Sequence, residues 1–390
     1  MNVAALRADT PGCEHVVHFN NAGAALMPRP VLQAQLDHLE LEARIGGYES
    51  AAAAADATAD THQAVADLLG ASADEIAIVE NATRAWGAAF YGIDFREGDR
   101  ILTAQASYAS NYIAMLQVAR RQGLHIDVAP NDSSGQVDVA ALEGLITSRT
   151  RVIALTHIPT NGGLINPAAD VGAVARSHGV PFLLDACQSA GQLPLNVDEL
   201  GCDMLSATGR KFLRGPRGTG FLFVRRGLIP DLEPPFLDLH AAEWVDAGHY
   251  EPHGDHRRFE TWEGNVAGKI ALGVAARYAM DVGLAAIAER VQRLADDLRT
   301  RLQALPGVRV HDLGVQRSGI VTFSHESVPA ARIKSGLLTR KFNTSLAIPS
   351  SSRLDADHRG LPEMVRASVH YYNTDDEVER FVEQVVAQVA

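Results

Sequence analysis

The chain has 390 residues, of which 46% are hydrophobic and 21% charged, with a formal net charge of −12. That length suits two domains, or one large domain with a smaller appendage, and leaves ample apolar material for a buried core. The acidic balance excludes a general polyanion binder, and no basic tract or aromatic-interleaved patch restores nucleic acid as a partner.

Taken in chain order, short β-rich apolar runs alternate with helical patterns through the first two thirds. The stretches "EIAIVE" (75–80), "RILTA" (100–104), "HIDVAP" (125–130), "RVIALTH" (151–157), "VPFLLD" (180–185), "DMLSA" (203–207) and "TGFLFV" (219–224) read as strands. Between them lie amphipathic helices such as "NYIAMLQVARRQG" (111–123), stopped by its glycine, and "PAADVGAVARSHG" (167–179), opened by its proline. This alternation predicts an α/β fold with a mainly parallel sheet covered on both faces, whose ligands sit beyond the carboxyl ends of the strands. The alanine-rich "ESAAAAADATAD" (49–60) reads as helix or surface, and 231–265, with scattered Pro, His and Gly, as an irregular crossing. Two helical patterns follow (267–283 and 284–307), then strands near 308–312 and 319–324, a helix near 329–339 and a terminal helix from about Asp375. Residues 16–262 are thus expected to form a large α/β domain and 263–390 a smaller α+β domain, with 1–15 packed near the latter.

Cys13, Cys187 and Cys202 form no CxxC pair, and no His/Cys spacing points to a metal, as expected in a reducing compartment without disulfides. The N-terminus has neither a basic start nor an apolar core, and no run reaches the length of a membrane span. A cytoplasmic protein without membrane contact is expected.

Chemistry concentrates at two strand ends. Asp185 closes a buried strand, and Gln188 follows three residues later. A buried carboxylate without a partner is costly, so it must meet a cation or a hydrogen-bond donor. Alone, D-x-x-Q after a strand reads as a capped turn, and "GRK" as a solvated loop. Together, at strand ends of one sheet, Asp185 and Lys211 describe two halves of a pyridoxal phosphate (PLP) site. The carboxylate meets a protonated pyridine nitrogen and the amine meets the aldehyde. In "ENATRAWG" (80–87) a helix begins, offering the N–H groups of Ala82 and Thr83 to phosphate, while Thr208 and Arg210 can add a hydroxyl and a charge.

These residues resemble the class V aminotransferase group of fold-type I PLP enzymes, which holds cysteine desulfurases, isopenicillin-N-epimerase-like proteins and carbon–sulfur lyases. The likeness runs from "FNNAGAALMPRPV" (19–31) to "VRASVHYYNTDDEVERFV" (365–382), through "THIPTNGGLINPAADVG" (156–172), "DACQSAGQLPLNV" (185–197), "ATGRKFLRGPRGTGFLFV" (207–224) and "RFETWEGN" (258–265). It implies that Asp185 pairs with the pyridine nitrogen, Gln188 bonds the ring hydroxyl oxygen, and Lys211 is the Schiff-base lysine. It places Ala82, Thr83, Thr208 and Arg210 near the phosphate, and gives Arg366 the substrate α-carboxylate, a bidentate task suited to guanidinium. Asn21 and Ala22, in "NNAGA", match a segment that lines the substrate pocket. The loop 258–265 matches one that reaches the neighbouring subunit's cofactor, so a homodimer with shared active sites is implied.

Some positions depart from the pattern. Desulfurases carry a mobile cysteine on the loop before the carboxylate-binding arginine, whereas "IPSSSRLDADHRG" (348–360) has serines. That leads to the expectation that the chain is not a persulfide-forming desulfurase. Where desulfurases stack a histidine over the ring, Tyr108 lies beside the matching Ala109; either Tyr108 stacks or that face is open. His157, at a strand end, reads as a neighbour of the cofactor oxygen or as a satisfied core histidine. Arg353 reads as a second anion contact, and Tyr48 as a contact for the distal part of the substrate or as helix packing. "LELEARIGGYESAA" (39–52) resembles a segment of the hercynylcysteine sulfoxide lyase and its relatives. The resulting expectation is a PLP-dependent carbon–sulfur β-lyase acting on a cysteine conjugate or its sulfoxide, with release of pyruvate and ammonia. An aminotransferase or epimerase of the same family is the alternative. A non-enzymatic nucleotide-binding protein would want G-x-G-x-x-G after the first strand, which "ENATRAWG" lacks.

Overall fold

In the computed structural model, which describes residues 1–389, all seven expected strands join one sheet. They are β1 (Ile76–Val79), β2 (Arg100–Ala104), β3 (His125–Ala129), β4 (Thr150–Thr156), β5 (Phe182–Asp185), β6 (Met204–Thr208) and β7 (Gly220–Val224), in the order β1-β7-β6-β5-β4-β2-β3. Only β7 runs against its neighbours. It returns from β6 through a turn too short for the crossover that a parallel partner needs, so the sheet is mixed and mostly parallel.

Burial on both faces explains the continuous apolar runs. Phe182 and Leu184 of β5, with Ile153 and Leu155 of β4, enter one core. Leu183, Val152 and Ala154 alternate with them and enter the other. Helices α1 (Ala55–Leu69), α4 (Ala168–His178) and α5 (Val266–Val282) cover the first face, and α2 (Ala82–Phe90) and α3 (Ala109–Gln122) the second. Each fully buried Leu or Phe contributes about 1.5–3 kcal/mol. The alanine-rich stretch is helical, in Gly47–Ala53 and in α1. Gly273 lets α5 and α1 approach closely, since a Cβ there would lie 2.6 Å from Thr61 Oγ1.

Beyond α5, helix α6 (Leu284–Gln303) buries Ile287, Val291, Leu294, Leu298 and Leu302, one stripe at helical spacing. It packs with α7 (Ala330–Thr339) and α8 (Asp375–Val389) on a four-stranded antiparallel sheet. In that sheet Val308–Val310, Ile320–His325, Met364–Ser368 and Ser345–Ala347 are neighbours in that order. Arg299 and Asp312 form a buried ion pair at 2.8 Å. Asp312 also accepts from Gly163 N, Thr322 N and Thr322 Oγ1, which ties this sheet to the 158–163 loop. The N-terminal segment lies against α8, where Arg7 pairs with Glu377 at 2.8 Å.

The 231–265 stretch is less irregular than its composition suggests. It holds an antiparallel hairpin of Ala242–Asp246 and His249–Pro252, with Trp244 exposed. Among the described residues no single helix is long and apolar enough to cross a membrane.

Candidate active site

Sheet register sets the acid in place. Thr156 of β4, Asp185 of β5 and Ser206 of β6 are cross-strand partners, so Asp185 leaves the sheet at its carboxyl edge. It is buried, its Oδ2 accepting from Asn111 Nδ2 at 2.7 Å and its Oδ1 from Cys187 N at 3.0 Å. Asn111, in the first turn of α3, went unnoticed in the sequence, where a polar residue near a helix start carries no special mark.

Lys211 follows β6 on the turn that leads to β7. Its side chain keeps some accessible surface yet is largely enclosed by protein, as expected for a group facing an internal hollow. Burial pulls its pKa below the usual lysine value, Cys187 and Asp185 oppose that shift, and Arg210 and Arg366 add to it. The acid and the lysine therefore share one electrostatic neighbourhood. Gly191 holds their two loops together: its φ is +88°, and a Cβ there would lie 2.4 Å from Leu213 N. Only glycine fits such a contact.

On the side of the expected phosphate, α2 begins at Ala82, capped by the Asn81 side chain, which accepts from Arg84 N at 3.0 Å. The N–H groups of Ala82 and Thr83 are thereby left open at the helix start. Gly220 allows β7 to pass close by, since a Cβ there would lie 3.0 Å from Ala82 N. Thr208 Oγ1 donates to Thr219 O at 3.2 Å and keeps its lone pairs free. Arg210 instead reaches across to the carbonyl of Gly23.

Opposite stands Arg366. Its Nη1 donates to Thr160 O at 3.0 Å and to Thr160 Oγ1 at 2.7 Å, while its buried Nε has no partner among the described residues. Burial and the charge of Arg210 pull its pKa down to about 10. Thr160 is a second residue that the sequence did not disclose. Ala22 O accepts from Gln188 Nε2 at 3.2 Å, and Gln188 Oε1 is buried without a partner. Asn21 is fully engaged with Ser368 O, His18 O and Tyr372 Oη, so it builds the wall and does not face a ligand. Tyr108 precedes α3, its N–H bonded to Thr156 Oγ1 at 3.2 Å, and its phenol acts electrostatically on Arg210 and Arg366.

His157 is buried, its N–H donating to Asp185 O and its Nδ1 bonded to Ser189 Oγ at 3.0 Å. Burial pushes its pKa down to about 4, so it is neutral at physiological pH. Two residues stand apart from the group. Tyr48 is 78% exposed, and Arg353 lies on the surface with Asp357 at 3.6 Å. A cavity of about 240 Å³ opens beyond Thr83, between the start of α2 and residues 261–265, rather than over Lys211.

A buried cation braces the lysine loop. Arg214, in the left-handed region at φ 63°, donates to Leu26 O, Thr10 Oγ1 and Tyr371 Oη at 2.8, 2.7 and 2.5 Å. The rings of Tyr371 and Tyr372 lie 5.1 and 4.5 Å from its guanidinium carbon, and among the described residues no carboxylate pairs with it.

The residues present fit pyridoxal phosphate. A fixed acid, an amine of lowered pKa and an arginine with an orphaned nitrogen share one neighbourhood, and an orphaned Gln188 oxygen and open helix N–H groups complete the donor set. Fold and site together define a fold-type I PLP-dependent enzyme. The family model Aminotransferase class-V matches residues 17–381, and the chain belongs to that family, with pyridoxal phosphate as its cofactor. A probable cysteine desulfurase of Methanothermobacter thermautotrophicus is 28% identical over 388 residues, covering 97% of this chain and 96% of its own. One from Xylella fastidiosa strain Temecula1 is 30% identical over 399 residues, covering 97% and 93%. Among solved structures, the apo cysteine desulfurase from Thermococcus onnurineus NA1 superposes with a TM-score of 0.91 at 27% identity, covering 99% of this chain and 97% of its own. A mutant of the protein C-DES with glycine covalently linked to its PLP cofactor shares the fold at a TM-score of 0.86 and 23% identity, covering 97% and 98%.

These relatives correct two expectations. The β-lyase releasing pyruvate and ammonia, and the exclusion of a persulfide-forming desulfurase, are both overturned by the desulfurase kinship along the whole chain. The physical reason is visible in the structure. The segment 39–52 that suggested a lyase ends one helix and opens the next, with Tyr48 on the surface of the chain. The serines of 349–352 report on one loop position, whereas the desulfurase likeness covers 97% of the chain.

Proposed function

We propose that this chain is a PLP-dependent enzyme that removes the sulfur of cysteine, leaving alanine and transferring the sulfur to a thiol as a persulfide. Cysteine plus a thiol gives alanine plus a persulfide, so atoms and electrons balance without an oxidant. The observation that carries this reading is the convergence of Asp185, Lys211 and Arg366 on a fold whose relatives at 27–30% identity are named cysteine desulfurases.

Bound in the hollow, pyridoxal phosphate supplies an electron sink for negative charge that forms at the substrate α-carbon. The chain's own residues divide the rest. Asp185, oriented by Asn111 and Cys187 N, meets the ring nitrogen, and Gln188 meets the ring hydroxyl. Ala82 and Thr83 N–H, with Thr208, would hold the phosphate, and Arg210 would join them on leaving Gly23 O. Arg366 presents its open Nε edge to the α-carboxylate. Lys211 takes the α-proton, and burial together with two neighbouring guanidiniums favours its neutral, basic form. Tyr108, whose phenol acts on Arg210 and Arg366, would be the residue to cover a face of the ring.

The acceptor thiol comes from outside the 348–360 loop, which contains no cysteine. Burial raises the thiol pKa of Cys13, of Cys187 and, to about 12, of Cys202, so none is a ready thiolate. A small thiol or a partner protein's thiol fills that role. A homodimer in which 258–265 approaches the other subunit's cofactor is part of this reading, supported by exposed Trp262, Trp244 and Phe236 around that segment. So are a cytoplasmic location and a division into a cofactor-binding part, 16–262, and a C-terminal part, 263–390. The test incubates purified PLP-loaded protein with cysteine and dithiothreitol. Alanine and sulfide should appear in equal amounts and vanish in Lys211→Ala; pyruvate in place of alanine would refute the reading.

A further inference from the structure

His62, His256 and Glu260 bring one ligand-type atom each within 4.8 Å of one another. They come from α1, from the turn His256–Phe259 and from the residue after it. His62 Nδ1 lies 3.1 Å from Thr58 O, a carbonyl that can only accept, so this nitrogen carries a proton. Its Nε2 faces Glu260 Oε1, 2.8 Å away. Either a second ring proton or a metal ion holds those two atoms that close. The other lone pair of Oε1 accepts from Ile78 N at 2.6 Å, while Oε2 faces Lys269 Nζ at 3.2 Å and His240 Nε2 at 3.4 Å.

A second, independent sign is the neighbouring ring. His256 lies 4.6 Å from His62 between centroids, and its buried Nδ1 has no partner among the described residues.

We propose that His62, His256 and Glu260 form a binding site for one divalent first-row metal ion of the zinc type. Two imidazoles and a carboxylate, completed by water, are a set suited to tetrahedral zinc. The contact of Thr58 O with the far nitrogen of His62 is the outer-shell bond that orients a ligating histidine. With bonds of about 2.0–2.2 Å, the gap between His62 and Glu260 widens by roughly half an ångström. Lys269 is the competitor, and its partly exposed side chain can swing toward solvent. The ion fastens the 256–265 segment to α1 and β1. This site shares no residue with the Lys211 hollow and stands whether or not the reaction proposed above is correct.

The experiment titrates the holoenzyme with Zn²⁺ against a chromophoric chelator and, by calorimetry, in two buffers of different ionisation enthalpy. Wild type should bind one ion per chain and release about one proton, the one displaced from between His62 and Glu260. His256→Ala and His62→Gln should each weaken binding at least tenfold, roughly the smallest loss expected on touching a metal shell. Lys269→Met should strengthen it. Absence of binding by wild type would show that the gap holds only a proton and would overturn the proposal. Equal affinity in wild type and His256→Ala would do the same, and the proton count on wild type needs no variant to fold.

Discussion

Replacing Arg366 with lysine keeps the charge and removes the fork. Nη1 is engaged by both oxygens of Thr160, so the Nε–Nη2 edge is the face left for two parallel bonds to a carboxylate. Lysine can make one of them. A hydrogen bond to a charged group contributes about 1.5–3 kcal/mol, and tenfold corresponds to about 1.4 kcal/mol. The expected fall in kcat/KM for cysteine is therefore roughly 10- to 150-fold. Initial rates of alanine release across a range of cysteine concentrations measure it, with the PLP content of each preparation checked by absorbance. Thr160→Val, which keeps the guanidinium, should lose much less. Cysteamine, which has no carboxylate, should be handled equally by wild type and Arg366→Lys. A change under about threefold with cysteine, or an equal loss with cysteamine, would refute the assignment of Arg366.

Asn111→Ala leaves Asp185 with one donor fewer, and PLP should dissociate about tenfold more readily on dialysis; unchanged retention would mean that Asn111 does not orient the acid. His157 has a folded pKa of about 4 against an ordinary 6.5, so the unfolded chain binds a proton that the native one refuses. Its contribution is complete above pH 6.5 and is lost as the pH falls toward 4, up to about 3 kcal/mol. Urea midpoints of wild type should drop over that window, and those of His157→Asn should drop less; parallel curves would contradict the argument. Asp312→Ala strands Arg299 and two buried N–H groups, and should lower unfolding stability by about 3–5 kcal/mol; a loss below 1 kcal/mol would show that water reaches the pair.

The large sheet was legible because strands buried on both faces read as unbroken apolar runs, and because breaks such as Gly123 and Pro167 stand beside them. The hairpin at 242–252 was not, since its residues are largely exposed and polar and its turn lies in a stretch rich in Asp, Gly and His. Asp185, Gln188 and Lys211 could be read because each belongs to a short contiguous motif. Asn111 and Thr160 could not, because the contacts that define them join positions 74 and 206 residues apart. Asn21 shows the reverse case, a residue matched by motif whose hydrogen bonds all turn inward. The reaction is not legible from the 348–360 loop, because one missing thiol weighs less than a desulfurase likeness along the whole chain.

The caged guanidinium of Arg214 has a consequence for biogenesis. Its partners lie at positions 10, 26 and 371, on both sides of it and at least 157 residues away. A ribosome must release residue 371 before that charge can be fully housed, so the turn bearing Lys211 is braced late in synthesis. Removing residues 1–10 should accordingly leave newly made protein with less vitamin bound and a weaker colour.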